Sequence, residues 1–254
     1  MNKPHILLLA GTAEARHLAE ALSEWPVRLT VSLAGATSVP ARYPGEVRMG
    51  GFGGEDGLAE WLKKEDISLL LDATHPYAER ISPNASRAAK RKDCPLLRFT
   101  RPAWEPEEGE DWQPHPSLEA AIEALPAGAR AFLATGSGSR DVLGIRSDLH
   151  LVLRAIEPLE DLPEHVEALV ARPPFSEAQE RELMKSRAVT HLVTRNSGGG
   201  GRAKLAAAAA LGLPILMIER PGTSGIAPDF HDMADILRAV AMWLALDTPS
   251  GPTP

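Results

Sequence analysis

The feature that most constrains the fold is the regular alternation of short apolar segments with stretches of helical character. Each segment has the length of one buried strand. They cover residues 6–10, 27–33, 68–71, 95–99, 131–135, 149–154, 189–194 and 215–218. Continuous apolar strands that alternate with helices are typical of parallel sheets covered on both faces. The sequence therefore predicts an α/β fold.

Helices with one buried face are predicted wherever apolar residues recur at three-four spacing. These residues are Ala15, Leu18, Ala19 and Leu22, then Leu58, Trp61 and Leu62, and finally Met233, Ile236, Leu237, Val240 and Leu244. Ser176 and Gln179 have the spacing of a capping box, and Pro163 suits a first helical position. The first two of these helices are expected to be crossovers between strands.

The chain is long enough for two cores, with 254 residues and 44% hydrophobic content. Prolines at 102, 106, 114 and 116 interrupt residues 100–116, which we interpret as an interdomain linker. We expect an N-terminal Rossmann-like domain over 1–103, a C-terminal α/β domain over 104–247 and a disordered tail over 248–254. The predicted architecture is two Rossmann-like domains with parallel sheets flanking a ligand cleft.

Several classes of protein are disfavoured by the composition. The apolar run 6–10 is too short for a signal peptide or a membrane span, so a cytoplasmic protein is expected. Cys94 is the only cysteine, and no Cys-x-x-Cys or His-Glu-x-x-His spacing predicts a metal site. A net charge of −7 disfavours nucleic acid as a partner. The oligomeric state stays open.

Small residues and hydroxyls dominate the loops that follow the predicted strands. Glycine allows backbone N–H groups to approach a phosphate closely, and a following helix adds a favourable dipole. We therefore predict cofactor contacts from Gly11, Thr12, Gly136, Ser137, Asn196, Ser197, Gly198 and Gly199. For residues 50–54, which read Gly-Gly-Phe-Gly-Gly, a plain structural turn is an equal alternative.

A dinucleotide is favoured because phosphate-type loops occur in both halves. The usual glycine fingerprint is missing, since Gly11 stands alone. The second strand ends at Leu33 and Ala34 without an acid for a ribose diol, which favours NADPH and leaves NADH possible. Arg140 could pair with a 2′-phosphate, although a salt bridge or a structural hydrogen bond is an equal alternative.

The segment 72–77 places ionisable side chains at the end of a buried strand. His75 is the candidate catalytic residue, as a proton donor or a partner for a carboxylate, and its alternative role is to anchor the loop. For Asp72 we favour a loop-fixing role over direct catalysis. Tyr77 is expected to pack against a ligand.

Motifs of other enzyme classes are missing from the sequence. It has no Tyr-x-x-x-Lys pair, Gly-x-Ser-x-Gly elbow or Gly-Lys-Ser/Thr loop, which disfavours carbonyl reduction, ester hydrolysis and ATP hydrolysis. A non-catalytic two-domain binder of a small anion remains an alternative. A nucleotide-sugar transferase is a weaker one.

The loops together resemble those of the precorrin-6A reductase family, over most of the chain. The matching segments are 11–16, 50–54, 72–78, 196–199 with Lys204 and Leu205, and 211–214. The His-Pro pair at 75–76 and Asn-Ser-Gly-Gly at 196–199 are the specific ones. Ala10 replaces a frequent glycine, and Arg195 replaces a frequent lysine, which keeps the positive charge but changes its hydrogen-bond geometry.

The resemblance implies an oxidoreductase of cobalamin (porphyrin-type) biosynthesis that transfers hydride from NADPH to a carbon–carbon double bond of precorrin-6A, giving precorrin-6B. Cobalt-precorrin-6A with NADH is the variant of the anaerobic pathway. The substrate is a polycarboxylate, which suits charge-assisted hydrogen bonds. The expected substrate residues are Arg16, Asp72, His75, Tyr77, Arg195 and Lys204. The proton donor, His75 or water, stays open.

Overall fold

The chain forms two compact α/β units, as a computed structural model of residues 3–34, 42–222 and 229–247 shows. One unit comprises Met1–Pro102 together with Pro221–Pro254, and the other comprises Ala103–Arg220. Each unit contains one six-stranded sheet in which every paired strand is parallel. The expected class, two parallel-sheet α/β domains, is confirmed.

The first unit has the strand order β3-β2-β1-β4-β5-β12. Its elements are β1 (His5–Leu9), α1 (Ala13–Ser23), β2 (Arg28–Leu33), β3 (Glu46–Met49), α2 (Gly54–Lys64), β4 (Leu69–Asp72), α3 (Ile81–Lys92), β5 (Leu96–Phe99), β12 (Asp229–Phe230) and α7 (Met233–Asp247). The order reverses between β1 and β4. In open parallel sheets, ligands bind outside the carboxyl ends of the strands at such a switch point.

The core of the first unit lies on both faces of its sheet. All residues of β1 and β4 are buried, which explains their continuous apolar sequences. One face packs against α1 and α7, and the other packs against α2 and α3. The predicted face of α1 is confirmed, because Ala15, Leu18, Ala19 and Leu22 are all fully buried.

The second unit has the corresponding strand order, β9-β8-β7-β10-β11-β6. Its elements are β6 (Trp112–His115), α4 (Leu118–Ala124), β7 (Arg130–Ala134), a 3-10 helix (Ser137–Val142), β8 (His150–Ala155), β9 (Val166–Val170), α5 (Glu177–Ser186), β10 (His191–Arg195), α6 (Ala203–Ala210) and β11 (Ile215–Ile218). Its switch point lies between β7 and β10. The predicted capping box starts α5, with Ser176 and Gln179 bonded reciprocally.

Three expectations differ from the structure. The segment interpreted as a linker contains β6, in which Pro114 is tolerated because β6 is an edge strand. Pro163 precedes strand β9 and starts no helix. Residues 221–247 belong to the first unit rather than to a domain over 104–247, because β12 pairs with β5 and Ile236 is buried against α1. The tail 248–254 lies outside the described residues.

Candidate functional site

The turn between β1 and α1 presents open backbone donors at the switch point of the first unit. Gly11 has a φ of 135°, which favours glycine, and the hydroxyl of Thr12 caps α1 by accepting from the Ala15 N–H at 3.0 Å. The same hydroxyl donates to the Ala73 carbonyl at 3.0 Å, which ties this turn to the end of β4. Within the described part of the chain, no group accepts from the N–H of Thr12 or Ala13, whereas the N–H of Gly11 interacts with the hydroxyl of Tyr43.

A cavity of about 410 Å³ lies at the carboxyl ends of β1, β2, β3 and β4. Backbone from the glycine-rich loop 50–54 forms one wall, and the start of α3 contributes Arg80 and Asn84. Ser32 and Ala34 line it at the end of β2. The size and the polar groups suit one end of a nucleotide.

Arg48 of β3 contacts the backbone of the 50–54 loop. Its Nη1 donates to the Ser32 hydroxyl at 3.1 Å and to the Gly50 carbonyl at 2.8 Å, and its Nη2 donates to the Gly51 carbonyl at 2.9 Å. The guanidinium lies 3.7 Å from the centroid of the Phe52 ring. Burial lowers the pKa of Arg48, since desolvation disfavours the charged form.

Asp72, at the end of β4, is buried with its charge directed toward Arg98 of β5. Its Oδ1 accepts from the N–H of Thr74 at 3.1 Å and from the Thr74 hydroxyl at 2.6 Å. Its Oδ2 lies 3.7 Å from Arg98, which lies 3.8 Å from Asp229 of β12. These contacts match the loop-fixing interpretation of Asp72.

His75 and Tyr77 lie in the loop that follows β4, and both are half-buried. The N–H of Tyr77 donates to His75 Nδ1 at 3.3 Å, and the two ring centroids are 5.8 Å apart. Both rings are therefore held against each other close to the switch point.

Arg16 lies one turn into α1, beside a tyrosine that the sequence did not single out. The Tyr43 hydroxyl donates to the Thr12 carbonyl at 3.3 Å. Burial raises the pKa of Tyr43, while the charge of Arg16 opposes that rise. Arg16 and the open N–H groups therefore form one positively polarised region at the start of α1.

In the second unit, the loop after β7 differs from its counterpart in the first. Gly136 has a φ of 78°, and Ser137 opens a 3-10 helix of six residues instead of an α-helix. Arg140 is exposed and donates to the Glu160 carbonyl at 2.5 Å. This contact is the structural hydrogen bond that the sequence left as an alternative.

The loop after β10 is organised around Trp104. The side chain of Asn196 accepts from the Trp104 N–H at 2.8 Å and donates to the Trp104 carbonyl at 2.9 Å. The indole donates to the Gly199 carbonyl, and Lys204 lies 4.5 Å from the centroid of the indole ring. Ser197, Gly198 and Arg195 belong to the same loop and strand end. The side chains of Asn196 and Lys204 are thus engaged inside the second unit.

The structure distributes the expected residues over both units. The first unit brings together Gly11, Thr12, Arg16, Asp72, His75 and Tyr77 at its switch point, whereas the second unit contains Gly136, Ser137, Arg140, Arg195, Asn196, Ser197, Gly198, Gly199 and Lys204. The sequence missed the contribution of Ser32 and Arg48. The sequence feature that points to these two residues is the glycine-rich loop 50–54, which the sequence alone explains equally well as a plain turn.

The described residues include neither a candidate metal site nor a candidate membrane span. No group of three or more His, Cys, Asp or Glu side chains among them could hold a metal ion. Of the helices in the same ranges, none has the length and continuous hydropathy needed to traverse a bilayer.

The strand order, the capped helix with open donors and the adjacent glycine-walled cavity define an α/β protein of the dinucleotide-binding class. The family model described as "Precorrin-6x reductase CbiJ/CobK" matches residues 5–241. The chain belongs to this family of reductases, and the expectations of the family and of an oxidoreductase are confirmed.

Individual relatives agree with the family match. The chain is 44% identical to a precorrin-6A reductase from Rhodococcus erythropolis, covering 93% of this chain and 96% of the relative. It is 41% identical to one from Sinorhizobium sp, with 96% and 95% covered. A solved structure titled "CobK precorrin-6A reductase" has a TM-score of 0.87 at 38% identity, covering 94% of this chain and 96% of that one.

Proposed function

We propose that the protein reduces one double bond of precorrin-6A with a hydride from NADPH, giving precorrin-6B. Family membership supports the reaction class, and both relatives described above carry the name of the metal-free substrate. That name favours precorrin-6A over cobalt-precorrin-6A.

The observation that carries the proposal is the set of open N–H groups at the start of α1, beside the cavity of about 410 Å³. The N–H groups of Thr12 and Ala13, at the N-terminus of an 11-residue helix, suit a pyrophosphate, and the adjacent cavity suits the adenosine end. In the second unit the corresponding loop leads into the short 3-10 helix. We therefore assign the dinucleotide to the first unit, with Gly11 and Thr12 as backbone donors.

The end of β2 favours NADPH. Ser32 and Ala34 line the cavity where an NAD-binding protein of this fold presents an acid to the ribose diol. Among the described residues that line the cavity at the end of β2, no carboxylate is present to accept from a 2′-hydroxyl or to repel a 2′-phosphate. NADH remains the alternative cofactor.

In the chemical step, the main role of the protein is to position the nicotinamide and the substrate. The nicotinamide supplies the hydride when it is bound, and the conjugated substrate accepts it. Arg16, on the first turn of α1, would bind a substrate carboxylate through a charge-assisted hydrogen bond. His75, held against Tyr77, would orient a carboxylate or the macrocycle. The proton that completes the reduction comes from water or from His75.

The test is to mix the purified protein with precorrin-6A and either NADPH or NADH, and to follow the absorbance of the reduced nicotinamide. We expect oxidation of NADPH that depends on precorrin-6A, with product of the mass of precorrin-6B. Binding of precorrin-6A without consumption of either cofactor would instead support the non-catalytic binder.

A further inference from the structure

We propose that Arg48 determines the cofactor preference by supplying the positive charge that attracts a 2′-phosphate at the end of β2. This inference rests on the assignment of NADPH to the first unit. It adds a specificity-determining residue that the sequence did not single out.

The register of the sheet places Arg48 beside Ser32, which lines the cavity at the end of β2. Arg48 of β3 pairs with Ser32 of β2, which in turn pairs with Leu9 of β1. Ser32 lines the cavity, and the guanidinium lies 3.1 Å from its hydroxyl. In this fold the second strand ends beside the ribose of the dinucleotide, so an anion on that ribose would lie near Arg48.

Arg48 differs from the other arginine in the same row of the sheet. The row continues through Asp72, Arg98 and Asp229, and Arg98 lies between those two carboxylates. Within the described ranges, the acceptors of Arg48 are a hydroxyl and two backbone carbonyls, all neutral. A partly buried guanidinium that has only neutral acceptors binds an anion with a more favourable free energy than a guanidinium that is already paired with a carboxylate.

The second unit also has an arginine that lies against a phenylalanine before the corresponding helix, but this arginine comes from β8, the counterpart of β2, and not from the counterpart of β3. Arg154 of β8 lies 4.1 Å from the centroid of the Phe175 ring, just before α5, as Arg48 lies on Phe52 just before α2. Glu180, on the first turns of α5, accepts two hydrogen bonds of 2.9 Å from Arg154. Arg154 is therefore already paired with a carboxylate.

Gly57 takes the place of that glutamate in the first unit. Phe52 and Gly57 have the same separation along the chain as Phe175 and Glu180. A Cβ atom at Gly57 would lie 1.8 Å from the Phe52 carbonyl oxygen, so no side chain can stand there without moving the loop. The acids in the first turn of α2 are already paired, Glu55 with Arg87 and Asp56 with Arg91. Among the residues that the structure describes, Arg48 thus has no carboxylate partner.

The experiment compares two small probes on wild type, Arg48→Gln and Arg48→Lys. Adenosine 2′,5′-bisphosphate carries the 2′-phosphate, and 5′-AMP lacks it. Calorimetry gives both dissociation constants, and steady-state assays with precorrin-6A give KM for NADPH and for NADH. Arg28→Gln is the control, because Arg28 lies at the amino end of β2 in an exposed pair with Glu46.

We expect Arg48→Gln to weaken adenosine 2′,5′-bisphosphate and to raise the KM for NADPH by about ten- to hundredfold. Binding of 5′-AMP and the KM for NADH should change little, and Arg48→Lys should lie between wild type and Arg48→Gln. An equal loss for both probes, or no loss for either, would overturn the inference. If wild type oxidises neither cofactor, the proposed function fails, while the two probes still test Arg48.

Discussion

Replacement of Gly57 by alanine should destabilise the protein, although alanine normally stabilises a helix interior by about 1 kcal/mol relative to glycine. The reason is local. The new Cβ would lie 1.8 Å from the Phe52 carbonyl oxygen, far inside ordinary van der Waals contact, which begins near 3.4 Å. The 50–54 loop must therefore move away from α2, and Phe52 moves with it.

The expected change in the free energy of unfolding follows from these opposing effects. Overpacking of this kind typically costs about 1–3 kcal/mol. After the helix gain, a net loss of roughly 1–2 kcal/mol remains at the upper end of that range. For a chain of this length, this corresponds to a decrease in Tm of about 2–8 °C. The KM for NADPH should rise as well, because Gly50, Gly51 and Phe52 line the cavity.

Thermal unfolding and cofactor kinetics test this reasoning together. Gly144→Ala is the matched control, because Gly144 has no neighbour within 4 Å of a Cβ and its φ lies outside the left-handed region. We expect Gly144→Ala to leave Tm and KM almost unchanged. A Gly57→Ala protein as stable as wild type, with an unchanged KM for NADPH, would refute the proposed packing of the loop on α2.

Three further changes address the switch point and the second unit. Ser32→Asp should raise the KM for NADPH and shift the preference toward NADH, because the new carboxylate would pair with Arg48 and repel a 2′-phosphate; an unchanged ratio of the two KM values would contradict this. Glu180→Gln should lower the free energy of unfolding by about 3–5 kcal/mol, as measured in urea, since it leaves Arg154 buried with a neutral partner. The double variant Arg154→Met, Glu180→Leu should recover the stability that Glu180→Gln loses. A double variant as unstable as Glu180→Gln would show that this loss is not electrostatic. His75→Ala should weaken precorrin-6A binding more than it lowers the saturated rate; normal binding with nearly complete loss of turnover, in this variant and in His75→Gln, would make His75 the proton donor.

The sequence predicted the strands that are buried on both faces, because such strands consist of continuous apolar residues. The strands β1 and β4 are buried on both faces, so their apolar runs identified them. The strands β3 and β6 were missed because both are edge strands, and exposed or polar residues interrupt their pattern. Membership of 221–247 in the first unit depends on the pairing of β12 with β5 and on the packing of α7 against α1, which no local pattern reveals.

The candidate site was predictable where it consists of backbone, and less so where it depends on distant pairs. The glycine at 11 and the cap at Thr12 follow from the strand–turn–helix pattern. Asn196 was expected to contact a cofactor, but its side chain bonds both backbone groups of Trp104, 92 residues away. The position of Arg48 beside Ser32 depends on strand register, which the sequence does not specify.

A crystal structure with bound NADP⁺ tests the central claim most directly. We predict that the pyrophosphate contacts the N–H groups of Gly11 and Thr12, that the adenosine occupies the cavity walled by residues 50–54, and that the 2′-phosphate lies within hydrogen-bond distance of Arg48. Adenosine bound at the carboxyl edge of the second sheet, near Gly136 or Asn196, would contradict the account.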